Sequence, residues 1–199
     1  MSPVTEAVAA GGVGPYRQRI IAAAVEVTAN AGWTAVTMAR LADAVGVSRQ
    51  TVYNEIGSKP ALAEAMVLDE LGRFLAVVEQ AFERHPDDLA PAIHDAVLGV
   101  LELARDNTLL RAIVSATHGA GTDLLPLLTT HAESLLATAK TVLSRRLTPY
   151  RLPLSEHELT VAIDVVVRVV LSHVMQPSDS PARTAADIAW LAGRVLYGT

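Results

Sequence analysis

Arg49, Gln50, Thr51 and Asn54 fall within six consecutive positions, with Tyr53 among them, and on a helix they share the side turned away from the apolar Val52. These side chains suit the major groove of duplex DNA. Arginine can bridge O6 and N7 of guanine, glutamine or asparagine can pair with adenine, and threonine can touch the methyl of thymine. Other chemistries are poorly supplied. The chain has no cysteine, which removes disulfides, thiol nucleophiles, zinc fingers and iron–sulfur clusters. None of the six histidines lies three or four residues from another, and His157-Glu158 lacks the second histidine of a metallopeptidase helix. The glycine-rich run from His118 to Gly121 has neither a preceding strand nor a phosphate-loop lysine, and no Gly-x-Ser-x-Gly elbow occurs. The sequence therefore predicts a protein that is not an enzyme and uses neither cofactor nor metal.

A reading helix needs a scaffold that grips its other side. Ser48 can cap it and Gly46 can make the turn before it, because positive φ is cheap only without a Cβ. Upstream, Thr37 can cap a short helix ending at Val45, in which Ala42 marks a close crossing and Leu41 and Val45 face Val47 and Val52. Ile20, Ala23, Ala24, Val27 and Ala31 repeat at intervals of three and four from Tyr16 onward, and Gly32 stops that helix. Downstream, Ser58, Lys59 and Pro60 open a long helix running to Arg84, before the His85-Pro86 break. A short helix, a glycine and a second short helix also arise by packing alone, so a protein-binding helix is the competing reading of this element.

Beyond His85 the spacing predicts helices over 89–106, 108–118, 123–147, 156–175 and 181–197, separated by proline and glycine. Val165 to Leu171 is β-branched enough to suggest a strand. A capping box at Ser155 to Glu158 and an Asp164–Arg168 pair at helical spacing favour a helix instead. The expected fold is all-α with about nine helices. Its predicted parts are a flexible arm over 1–15, a helix-turn-helix domain over 16–60 and a helical body over 61–199.

The chain is 51% hydrophobic, with a mean hydropathy of +0.33. Its longest run without Asp, Glu, Lys or Arg, 27–39, is nevertheless only 13 residues. A bilayer span needs roughly 18 to 20. No basic residue precedes Arg17, so a signal peptide is not expected either, and the predicted setting is cytoplasmic with no membrane partner. Residues 1–60 carry five basic and four acidic side chains, whereas the rest carry 11 and 17, which places the net charge of −5 on the body. A small DNA-reading module on an acidic body is compatible with that balance.

The stretch from Arg17 to Leu62 resembles the N-terminal domain of TetR-type transcriptional regulators. The matching residues are Ala31-Gly32-Trp33, Thr37, Leu41-Ala42, Gly46-Val47-Ser48, Thr51-Val52-Tyr53, Ser58-Lys59 and Leu62, spaced without insertion. The resemblance implies that Arg49, Gln50, Thr51 and Asn54 read bases, that Tyr53 and Lys59 touch backbone phosphate, and that Thr37 and Ser48 face phosphate as well as capping helices. Arg40, on the open side of its helix, is a further expected contact. Two positions depart from the family: Glu55-Ile56 replaces the usual His or Tyr followed by Phe, and Pro60 stands where Glu is frequent. A carboxylate beside DNA repels phosphate, so Glu55 either faces away, pairs with Arg49 or Lys59, or accepts from a cytosine amino group.

For the body, the resemblance implies a homodimer on a palindromic operator and a small-molecule effector. Ala185, Ala189, Ala192 and Leu196 form a small-residue stripe expected at the dimer interface. Phe74, Val78, Leu98, Leu101, Ile113, Thr117, Leu128 and Val170 are expected to line the effector cavity, with His118, His131 or Arg111 as polar anchors. Because the body has few aromatics, a lipophilic effector such as a fatty acyl group suits it better than a flat cationic drug. The function so implied is a ligand-responsive regulator, a repressor released by its effector. The competing readings are an activator using the same helix-turn-helix and a helical protein-interaction module.

Overall fold

The computed structural model describes residues 14–111 and 132–197, and among them every regular element is helical. The elements are α1 (Arg17–Ala31), a 3-10 turn (Trp33–Ala35), α2 (Met38–Val45), α3 (Arg49–Ile56), α4 (Lys59–Arg84), α5 (Leu89–Asp106), α6 (Ala132–Leu147), α7 (Glu156–Met175) and α8 (Pro181–Tyr197). The chain divides into two compact units at Val67 and Leu68, within α4. The predicted helix over 108–118 lies outside the described residues except at Thr108 to Arg111, and that over 123–147 does so up to residue 131. The arm expected over 1–15 also falls outside them up to residue 13.

In the first unit α1 packs on α2 and α3, and α2 packs on α3. Ile20, Ala24, Leu41, Ala42, Val52 and Leu62 are buried, each at 2% exposure or less. Removing a side chain such as Leu41 from water contributes about 1.5–3 kcal/mol.

In the second unit α8 packs against α5 and α7, and α7 also lies on α5 and α6. Their shared core is almost wholly aliphatic: Leu89, Ile93, Val97, Leu101, Ile163 and Ile188 fill it, and Phe82 is its buried aromatic residue. Val165 to Leu171 is helical, inside α7. The capping box between Ser155 and Glu158 starts that helix, and Arg168 Nε donates to Asp164 at 2.8 Å across one turn. Burial on α5, α6 and α8 then outweighs a β-branched penalty of at most about 0.7 kcal/mol per residue.

Polar groups close the corners of this unit. Buried Asn107 donates its side-chain amide to buried Glu70 of α4, while its oxygen accepts from the Leu110 N–H at 2.8 Å. Asn107 thereby ends α5 and caps the turn that follows. At the other end, Asp95 accepts from Arg84 Nη1 at 3.0 Å and lies 2.9 Å from His85 Nε2 and 3.1 Å from His94 Nδ1. The Tyr150 hydroxyl donates to the His85 carbonyl at 2.6 Å, and its ring meets Phe82 edge to face.

Hydrogen bonds from His85 and His94, with the nearby Arg84 charge, hold the Asp95 carboxyl below its ordinary pKa. A depressed carboxylate adds stability above its unfolded pKa, about 3.9, and that stability is lost as pH falls through the lower folded value. Asp95→Asn should therefore cost about 1 kcal/mol near neutral pH, with the difference from wild type shrinking toward pH 3. Urea unfolding of both proteins across that range measures it.

Candidate nucleic-acid interface

The expected DNA-facing residues gather on one short element and its flanks. Arg49, Gln50, Tyr53 and Asn54 of α3 are exposed, Tyr53 at 50%, while Val52 and Ile56 on the opposite side are buried. The helix therefore shows a polar side and is held by an apolar one. Its start is fixed by Ser48, whose Oγ accepts from the Thr51 N–H at 3.0 Å and lies 2.9 Å from Thr51 Oγ1. One turn on, Gln50 Nε2 donates to Asn54 Oδ1 at 2.9 Å, which aligns the two amides side by side. The pair keeps the Gln50 oxygen as an acceptor and the Asn54 nitrogen as a donor, a pattern complementary to adenine N6 and N7.

The turn before α3 has the conformation its sequence demands. Gly46 lies at φ 74° and ψ 39°, in the left-handed region, and its N–H and that of Val47 both bond to the Ala42 carbonyl. Thr37 caps α2 by accepting from the Arg40 N–H at 3.1 Å, and both side chains are exposed.

Lys59, at the start of α4, is half-buried. Its Nζ donates to the Trp33 carbonyl at 3.0 Å and sits 4.8 Å from the centroid of the Trp33 indole. That leaves two of its three N–H donors for other acceptors. Pro60 follows in the first turn, where its missing N–H costs nothing. Glu55 forms no ion pair with Arg49 or Lys59. Its carboxylate instead occupies the space where a Cβ on Gly14 would stand.

Sequence reasoning passed over two residues of this domain. Arg17 and Arg19 each reach a main-chain carbonyl of the helix-turn-helix, Glu55 at 2.6 Å and Val45 at 2.8 Å. The available signal was two arginines in a first helical turn, where acidic residues are the usual choice.

In the second unit, Leu101 is buried in the core, with Val78, Leu98 and Val170 half-buried against it, and Phe74 is also half-buried. Ile113, Thr117, His118, Leu128 and His131 lie outside the described residues. A groove of about 390 Å³ between α7 and α8 is lined by His173, Arg183, Asp187 and Leu191 among others, and none of the expected cavity residues contributes to it. The stripe expected at the dimer interface is placed differently. Ala185, Ala192 and Leu196 are buried within the protomer core, and Ala189 is half-buried against it. Small residues let any helix approach closely, and here α5 and α7 of the same chain do so. The outer side of α8 carries Trp190, Leu191 and Val195, exposed at 64%, 43% and 45%.

Comparison with known proteins decides the family. Residues 20–66 match the family described as bacterial regulatory proteins, tetR family, and residues 88–194 match the bacterial tetracyclin repressor C-terminal domain. The chain belongs to the TetR family. It is a DNA-binding transcriptional regulator with a helix-turn-helix and a ligand-binding C-terminal domain. It is 28% identical over 159 residues to the HTH-type transcriptional regulator AlkX of Mycobacterium tuberculosis, covering 80% of this chain and 74% of that protein. The TetR family repressor AlkX from Dietzia sp., implicated in biodegradation of n-alkanes, superposes with a TM-score of 0.71 at 28% identity, over 89% of this chain and 95% of that one. FadR from Bacillus subtilis, solved with stearoyl-CoA, shares the fold with a TM-score of 0.59 at 15% identity, over 92% and 98% of the two chains.

The left-handed turn gives a direct test of this geometry. Gly46→Ala meets no atom within 4 Å, so its cost is conformational alone. A loss of about 1–2 kcal/mol in unfolding free energy is expected, read by denaturant titration, with DNA binding retained at low temperature.

Proposed function

We propose that this TetR-family chain is a repressor that binds a palindromic operator as a homodimer and leaves it when a lipophilic effector occupies the helical body. The observation that carries the DNA-reading part is the exposed row of Arg49, Gln50, Tyr53 and Asn54 on a helix fixed at both ends. In this reading Gln50 and Asn54 act as one unit on adenine, Arg49 and Thr51 read neighbouring positions, and Tyr53, Lys59, Arg40, Thr37 and Ser48 meet phosphate. One eight-residue helix contacts few bases. Two copies about 34 to 36 Å apart would double the reading surface and require a palindrome.

The outer sides of α7 and α8 supply the partner surface. Val161, Val165 and Met175 on α7 and Trp190, Leu191 and Val195 on α8 are all more than 40% exposed. An open apolar face across two helices that pack together is what a subunit interface covers. The dimer interface therefore belongs to these residues and not to the alanine stripe beneath them.

A lipophilic effector is supported by the aliphatic interior of the second unit and by the relation to an AlkX repressor implicated in n-alkane degradation. The α4 helix runs without a break from Lys59 to Arg84, so Lys59 of the first unit and Phe82 of the second unit's core belong to one continuous helix. An effector that binds the DNA-incompetent arrangement more tightly shifts the population away from DNA.

On DNA, affinity should fall steeply with salt. Lys59→Ala should weaken binding to all duplexes and reduce the salt slope by about one, whereas Gln50→Ala should change which base is preferred. Equal behaviour of the two variants in a mobility-shift titration would contradict the assignment. Leu191→Glu combined with Val165→Glu should convert the dimer to a folded monomer in analytical ultracentrifugation and abolish cooperative operator binding; an unchanged mass would move the interface elsewhere. Long-chain alkanes, fatty acids and acyl-CoAs should raise the melting temperature and release DNA, and no response to any of them would remove the lipophilic effector from the reading.

A further inference from the structure

Two arginines of α1 stand where the electrostatics of their own helix disfavour them. Arg17 and Arg19 occupy the first turn, where the positive end of the helix dipole repels cations, and no acidic residue of that turn offsets them. Each instead serves another helix. Arg17 Nη1 donates to the Glu55 carbonyl in the last turn of α3 at 2.6 Å, and Arg19 Nη2 donates to the Val45 carbonyl at the end of α2 at 2.8 Å. Both acceptors belong to the terminal carbonyls that a helix cannot satisfy internally.

Neither α2 nor α3 has a basic residue in its own last turn. The cations that helix C-termini favour are thus supplied by α1, one to each helix of the helix-turn-helix. The nearby terminal carbonyls are met by the main chain: Gly46 and Val47 on Ala42, and Gly57 on Tyr53. Arg19 is further steadied by the Tyr16 ring, 5.8 Å from its guanidinium carbon.

We propose that Arg17 and Arg19 are positioning residues for base reading, fixing the C-terminal ends of α2 and α3 and thereby the register of Gln50 and Asn54 against the groove. The proposal rests on the DNA-reading role of α3. Its physical basis is directionality. The apolar side of α3, Val52 and Ile56, supplies attraction, but apolar contact resists rocking and sliding only weakly. A charge-assisted hydrogen bond is short and angle-dependent, so it resists both. With Ser48 holding the first turn and Arg17 the last, α3 is restrained at each end.

The test compares a duplex that the wild-type protein selects from a random library with a scrambled duplex of equal length. Arg17→Met and Arg19→Met keep the apolar stem and remove the donors. At temperatures well below unfolding, each should lose about tenfold in preference for the selected duplex, with the salt slope unchanged. Arg17→Lys and Arg19→Lys, which keep a charged donor, should recover part of that preference. Hydrogen exchange over Arg49 to Ile56 in the free protein should be faster in the methionine variants. A salt slope lowered by about one per arginine, with equal losses on both duplexes, identifies phosphate contacts and overturns the proposal. Lower melting temperature with unchanged preference also overturns it, because the arginines would then serve stability alone. If the wild-type protein selects no sequence, base reading by α3 falls and the proposal with it; if it does, an unchanged preference in the variants defeats the proposal by itself.

Discussion

The reading end of this protein depends on a helix too short to exist alone. At eight residues, α3 is well below the roughly 12 to 15 at which an isolated helix becomes marginal in water. Its neighbours therefore create it. Ser48 satisfies an N–H of the first turn, Val52 and Ile56 bury its inner side, Arg17 takes a carbonyl of the last turn, and Gly57 closes the end at a positive φ of 89°. The geometry of the exposed row is inherited from those four restraints. Because α1 and α2 both pack on α3, displacing either one displaces the exposed row with it.

Much of this was legible in sequence because it is local. Caps at Thr37, Ser48 and Ser155 and the turn at Gly46 follow from the residue itself and its immediate neighbours, and each stands in the structure with the predicted role. The helical state of Val165 to Leu171 was legible for a related reason: the capping box and the Asp164–Arg168 pair lie within one or two turns of it. The partner of α8 was not. Periodicity reports that Ala185, Ala192 and Leu196 share a face and that the face is buried, but it carries no information on which helix buries it. The roles of Arg17 and Arg19 escaped for the same reason, since their acceptors lie 38 and 26 positions along the chain.

The body's hydrophobicity now has two distinct destinations. The inner sides of α5, α7 and α8 form one aliphatic core, and the outer sides of α7 and α8 keep large apolar groups in contact with solvent. One helix thus carries two apolar faces of different character: small residues inward, where close packing is needed, and Trp190, Leu191 and Val195 outward. Among the described residues of the body, the buried acidic side chain Glu70 is paired with Asn107. An unpaired carboxylate there would cost several kcal/mol.

Charge placement sharpens what the reading end must rely on. Residues 1–60 are close to neutral, and two of their four arginines are engaged with main-chain carbonyls inside the domain. Arg40, Arg49 and a partly engaged Lys59 are the other basic side chains of this stretch. Each phosphate neutralised contributes a salt slope of only about −0.9. A domain with so few free cations gains little from non-specific attraction, and its acidic body adds repulsion. In the proposed reading, discrimination then comes from short-range, directional contacts in the groove, whose strength falls sharply when donor and acceptor are misaligned. A protein of this charge depends on restraining α3 at both ends more than a strongly basic one would.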